Sequence, residues 1–483
     1  MTILPKRIGR VLLVAVLCTW LPLGAGAQNQ LPDFGDPSSA TLSPADEREI
    51  GAMFMRQIRA QLPVIDDPEI EDYVQTLGYS LISGSTEGST DFYFFVIANP
   101  TVNAFALPGG YIGIHSGLIT NTKSESELAS VLAHEIAHVT QRHIARSIAA
   151  AEGTQYATIA AIIAGMLIGT QNAQAGRAAM AGASAAGAQS QINFTRANEQ
   201  EADRVGMNML AKAGYDPRAM PQFFEELDNA SRYYSKPPEF LSTHPVTASR
   251  IADSRGRAEQ YPYKQYLDSI SYRLTRAKVQ VLTTEDPARL LADYESELKE
   301  ERKGDRSPTL YGRALVLAKL GNHQLAIEEL EKLVASHPER VRFRVALASQ
   351  WLAIGDVKHA LSIYQDAYGL FPDSSQLVLG YVNALLRDGQ GKRALAIIDE
   401  YSRIHVKSAA LYRLEAEAYR LEGEVTPSRM ALAEYYYLTG ELEGAIHQLQ
   451  LAANEPGGDF YQSSRVEARL KELQAERERL TRR

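Results

Sequence analysis

In the stretch SELASVLAHEIAHVTQRH, residues 126–143, His134 and His138 stand four apart with Glu135 between them. On a helix that spacing sets both imidazoles on one face, one turn apart, where they can reach the same metal ion. Glu135 lies about 100° further round, free to face a water held there and to take its proton as a general base. By composition alone such a string turns up in about one chain in a hundred of this size. A surface helix carrying two incidental histidines is therefore the alternative, and a third ligand would decide against it.

RANEQEADRVGMNMLAKAGYDP, some sixty residues on, offers one. Read as a helix, it sets Gln200, Glu201, Arg204, Asn208 and Lys212 on a solvated side, and Glu199, Ala202, Asp203, Gly206, Met209 and Leu210 on an inward one. Periodicity thus selects Glu199 over Glu201 as the carboxylate that reaches a buried ion, with Asp203 one turn along beside it. Two imidazoles, one carboxylate and an open position form a catalytic rather than a structural zinc set. His115 and His143 fall outside that set by spacing and read as structural or surface histidines.

The elements that must position these groups are legible nearby. Ser124 followed by Glu127 predicts a capping box ahead of the histidine helix, and Ser43 before Pro44 predicts another helix start. DFYFFVIA and VNAFALPGGYIGIHSGLI are rich in β-branched and aromatic residues, and the Pro108-Gly109-Gly110 break predicts a turn between two strands. A small sheet beside a helical core is expected. No Gly-x-Ser-x-Gly elbow is present, which removes the serine-hydrolase reading.

The chain of 483 residues, 45% hydrophobic and 22% charged, suffices for two or three domains. Its net charge of −8 disfavours a nucleic-acid partner. Residues 1–27 combine Lys6, Arg7 and Arg10, an apolar run from Val11 to Leu23 and the triplet Ala25-Gly26-Ala27, the form of a secretory signal cleaved after Ala27. A membrane anchor is the alternative, for which the apolar run is short. Removing the signal takes the net charge from −8 to −11 and removes Cys18, the only cysteine, so that neither a disulfide nor a cysteine nucleophile remains. An exported, soluble, acidic protein of a bacterial periplasm fits best. Residues 28–42 read as a linker. The Ala- and Gly-rich stretch 153–190, free of charge over 153–176, reads either as a segment that touches a membrane surface or covers the cleft, or as a buried hairpin.

Beyond Tyr311 the chain repeats. Gly321, Gly355, Gly389 and Gly423 recur every 34 residues, Ala326, Ala360 and Ala394 keep that spacing, and Pro338 and Pro372 close the first two units. This resembles the tetratricopeptide repeat, whose small residue lets two helix axes approach. Val406 and Ser428 break the pattern in later units, and Gly440 and Ala445 suggest one more unit shifted by half a repeat.

HEIAH followed by EQEAD, with NAFALPGGYIGIHSGLI before and LSTHPVTASRIADSR after, resembles the CAAX-endopeptidase-like zinc metallopeptidases, a gluzincin family. The resemblance implies one zinc ion per chain on His134, His138 and Glu199, Glu135 as base, and Asp203 as a proton donor or a partner of the ligands. It implies a place close to the metal for His244, stabilising an oxyanion or serving as a displaceable fourth ligand; a structural turn residue ahead of Pro245 is the other reading. Arg250, six residues on, would orient a nearby carboxylate. A signal peptide in front and repeats behind resemble the family's periplasmic members, whose clients would be misfolded or assembling outer-membrane β-barrel proteins and their insertion machinery. The expected fold is mainly α: an α+β zincin domain over 43–269, helical with a small sheet, then a helical repeat array over 270–483. The expected function is a periplasmic zinc endopeptidase with chaperone-like activity in barrel-protein assembly and quality control. Its rival is a chaperone or adaptor with a latent or structural metal site.

Overall fold

The computed structural model describes residues 42–83, 91–150, 185–233, 238–300, 304–455 and 460–481. The expected signal peptide with Cys18, the linker up to its last residue, and the Ala- and Gly-rich stretch as far as residue 184 lie outside them. Among the described residues no helix is long and apolar enough to cross a membrane.

Helix α1 (Pro44–Gln61) starts at a complete capping box, in which the Ser43 side chain accepts from the Asp46 N–H and Asp46 accepts from the Ser43 N–H. Helix α2 (Pro68–Ser83) leads to a three-stranded sheet of order β1-β3-β2. Strand β1 (Tyr93–Ile97) runs parallel to β3 (Tyr111–His115), and β2 (Ala104–Ala106) pairs antiparallel with β3 across the turn Pro108–Gly110. The hairpin lies where the Pro-Gly-Gly break predicts it, and β2 forms an edge of the sheet.

After α3 (Ser116–Asn121) comes α4 (Glu125–Thr140), which carries the histidine pair. Ser124 caps it, but Glu127 accepts from the N–H of Lys123, one residue before the cap, so only half of the expected box forms. Every residue from Glu125 to Ala137 is buried, and the helix packs on α2, β2, α6 (Ala185–Lys212) and α7 (Ala219–Tyr233). It is a central helix and no surface element. Arg142 then adopts φ 51°, left-handed for a non-glycine residue, which costs about 1–2 kcal/mol. Its guanidinium donates to Leu42 O at 2.7 Å, which helps hold the turn that starts α5 (His143–Ala150). A short turn of helix, α8 (Phe240–Thr243), and then α9 (Ala248–Ala258) complete this part.

Next come α10 (Ile270–Thr283) and α11 (Pro287–Glu300), then the helix pairs α12 (Ser307–Lys319) with α13 (His323–Ser336), α14 (Val341–Ala353) with α15 (Val357–Tyr368), α16 (Ser375–Arg387) with α17 (Gly391–Ser402), and α18 (Ala409–Leu421) with α19 (Val425–Leu438). Helices α20 (Leu442–Ala453) and α21 (Phe460–Thr481) follow. Each of Gly321, Gly355, Gly389 and Gly423 takes a positive φ between 72° and 87° at the turn inside a pair, a conformation that costs glycine little. Ala326, Ala360 and Ala394 are wholly buried where the paired helices cross. At the irregular position, Ser428 stays compatible with the crossing because its hydroxyl donates to Ala416 O.

The two parts share structure. Tyr272 and Val279 of α10 pack in the core beneath the sheet, while Leu274 packs in the core of the array. Buried Glu69 on α2 accepts from Lys278 and Tyr311, each at 2.9 Å, and pairs with Arg342 at 3.2 Å. At the far end, Arg56 of α1 pairs with Glu476 of α21 at 2.8 Å.

Candidate metal centre

Four side chains from three segments converge. His134 and His138 come from α4, Glu199 from α6 and His244 from the C-terminal end of α8, and one donor atom of each lies within 4.8 Å of the others. The Nε2 atoms of His134 and His138 face each other at 3.0 Å, and Glu199 carboxylate oxygens lie 3.4 Å from each of them. Nδ1 of His244 is 3.1 Å from Glu199 and 3.3 Å from His134. This convergence requires α4 and α6 to cross closely. They do so at Gly206, where a Cβ would come within 2.9 Å of Ala133 O.

The inward face predicted for α6 is the buried one. Glu199 and Asp203 are both buried, whereas Gln200, Arg204 and Asn208 are exposed. Arg250 on α9 grips Asp203 with two parallel hydrogen bonds of 2.8 and 2.7 Å and reaches Glu199 Oε2 at 2.8 Å, so its fork sets both carboxylates. Asp203 Oδ1 lies 3.0 Å from His134 Nδ1, approaching obliquely to the ring N–H direction.

Electrostatics follow from this packing. Burial works against charge on His134, yet Asp203 and Glu199 outweigh it and hold the imidazole up at about 9. Burial pushes His138 down to about 3. Glu199 is held well below the usual carboxylate range, because His244, His134 and His138 together overcome its burial. Glu135 is pushed up by burial. Neither Glu135 oxygen has a well-formed hydrogen bond, and His244 Nε2 stands 3.3 Å from one of them.

These residues fit a divalent cation. Nitrogen and carboxylate lone pairs meet at one buried point, and Glu135, Glu199 and Asp203 are three buried carboxylates set against the single guanidinium of Arg250. His115 stands apart, its Nδ1 2.7 Å from the Thr101 hydroxyl and its ring edge-on to Phe105. His143 does not stand apart. The left-handed turn at Arg142 folds it back, buried, with Nδ1 2.9 Å from His138 Nδ1 and Nε2 3.3 Å from Glu201. Straight-helix spacing misses this contact; the polar break Thr140-Gln141-Arg142 is the one signal that the helix ends before His143. Glu201, expected in solvent, is part-covered by His143 and Arg146.

A buried helix carrying His-Glu-x-x-His, crossed by a second helix that supplies a carboxylate, defines a metallopeptidase. The sequence profile of Peptidase family M48 matches residues 68–258, and that of the tetratricopeptide repeat matches 352–418. A putative beta-barrel assembly-enhancing protease of Vibrio cholerae serotype O1 is 36% identical over 99% of both chains, and the beta-barrel assembly-enhancing protease of Escherichia coli K12 is 34% identical over 97% of both. The mitochondrial metalloendopeptidase OMA1 of Danio rerio is 30% identical over 41% of this chain and 42% of its own. The chain belongs to the M48 peptidases and, within them, to the family of the beta-barrel assembly-enhancing proteases. That membership implies a metal cofactor.

Proposed function

We propose that the chain is a periplasmic zinc endopeptidase that acts on outer-membrane β-barrel proteins during assembly and quality control. The observation that carries the catalytic part is the convergence of His134, His138 and Glu199 on one buried point, with the buried Glu135 carboxylate beside them, 3.3 Å from His244 Nε2. One zinc ion held there would polarise the scissile carbonyl and acidify a water molecule. Glu135 would take that water's proton and deliver it to the leaving amine. Asp203 orients His134, and Arg250 orients Asp203 and Glu199 while leaving Glu199 Oε1 unclaimed by its guanidinium. Extended clients would pair with the edge strand β2, and the repeats would present clients and insertion machinery to the site.

His244 favours a second feature of this reading. Its Nδ1 belongs to the same cluster as the three ligands, which supports a displaceable fourth ligand that keeps the enzyme latent over an oxyanion stabiliser. Replacing His244 by Ala should then raise proteolysis; a fall would favour the oxyanion role, and no change would remove His244 from the site.

The test is to incubate zinc-loaded and chelator-treated protein with an unfolded outer-membrane β-barrel protein. Zinc-dependent cleavage is expected. Protection of the client from aggregation without cleavage in either form would favour the chaperone or adaptor instead.

A further inference from the structure

We propose that His143, backed by Glu201, is a positioning residue that fixes the tautomer of His138 and aims its Nε2 lone pair into the metal site. The proposal rests on the metal-site reading above.

The proton directions follow from three contacts. For His138 Nε2 to offer a lone pair toward His134 Nε2 and Glu199, its single proton must sit on Nδ1. That Nδ1 faces His143 Nδ1 at 2.9 Å, so His143 must accept there. His143 then carries its own proton on Nε2, which donates to Glu201 Oε2 at 3.3 Å. The opposite direction fails twice. It would put a proton on His138 Nε2, pointed at the other ligands, and it would set the His143 Nε2 lone pair against a carboxylate oxygen. Glu201 therefore selects the direction, and Arg146, donating to the same oxygen at 2.9 Å, holds that carboxylate in place behind His143. Burial reinforces this, since His143 is 3% exposed and cannot trade Glu201 for bulk water at no cost. His134 is oriented from the other side by Asp203. Both histidines of α4 thus have a carboxylate behind them, His134 directly and His138 through a second imidazole.

Fixing a ligand's tautomer from behind is worth roughly 10- to 100-fold in metal affinity. The experiment measures the zinc dissociation constant by competition with a chromophoric chelator, and the visible spectrum after cobalt substitution, in the full chain. The variants are His143→Leu, His143→Gln and Glu201→Gln, with His134→Gln as a control and thermal unfolding of each metal-free protein alongside. The glutamine side chain of His143→Gln can accept from His138 and donate to Glu201; the leucine of His143→Leu can do neither. The expected result is a loss of roughly 10- to 100-fold in His143→Leu, a smaller loss in Glu201→Gln, substantial recovery in His143→Gln, and a changed cobalt spectrum in His143→Leu alone. Wild-type affinity in a folded His143→Leu variant would overturn the proposal. So would wild-type affinity in Glu201→Gln if His143→Leu does not fold, or equal losses in His143→Leu and His143→Gln. If His134→Gln keeps its metal, the metal-site reading itself fails, an outcome distinct from all of these.

Discussion

Gly206 on α6 lies so close to Ala133 on α4 that a side chain there would meet the Ala133 carbonyl at 2.9 Å. That crossing brings Asp203 and Glu199, one and two turns earlier on α6, to His134. Gly206→Ala must push the helices apart, because the obstacle is backbone and cannot rotate away. A loss of about 1–3 kcal/mol in denaturant unfolding is expected, together with weaker metal binding, measured on the same preparation.

Arg250 offers a test of shape against charge. Its planar fork holds Asp203 twice and Glu199 once, a geometry an ammonium cannot copy. Arg250→Lys keeps the charge, yet should lower metal affinity and kcat/KM by roughly 10- to 100-fold. Isothermal titration with zinc checks it, and a Lys variant equal to wild type would show that charge alone suffices.

Glu69 ties α2 to the array through Lys278, Tyr311 and Arg342. Glu69→Ala removes the shared carboxylate from a site that is itself 1% exposed, leaving Lys278 its pair with Asp67 at 2.9 Å and Arg342 its hydrogen bond to Thr275 at 3.0 Å. Destabilisation of about 1–3 kcal/mol is expected, read as a lowered denaturant midpoint. Proteolytic nicking near residue 285 should rise with it.

His115 supplies a pH test away from the metal. Burial lowers its pKa from 6.5 to about 4. The unfolded chain therefore binds a proton that the folded one refuses, so the associated stability is complete above pH 6.5 and is lost as pH falls from there to about 4. Over that window wild type should lose up to about 1.4 kcal/mol per pH unit more than His115→Asn. Parallel stability–pH curves for the two proteins would contradict the assignment.

Local regularity explains what was legible in the sequence. Glu199 could be told from Glu201 because a single helix has one buried face, and the 34-residue glycine register survives because each turn needs the same positive φ. The hairpin at Pro108 follows from the same kind of local rule. What stayed hidden depends on chain reversal and distance. His143 reaches His138 only because Arg142 takes a left-handed turn that its residue type does not favour. The contacts of Glu69 with Arg342 and of Arg56 with Glu476 join residues hundreds of positions apart, and no periodicity encodes such pairs.

The central claim is that Glu135 moves the proton in peptide-bond hydrolysis and does not hold the metal. The direct measurement is single-turnover cleavage of an unfolded β-barrel client by Glu135→Gln, with bound zinc quantified in the same sample. Full zinc occupancy with cleavage reduced by at least about a thousandfold is expected. Undiminished cleavage in the zinc-loaded variant would contradict it.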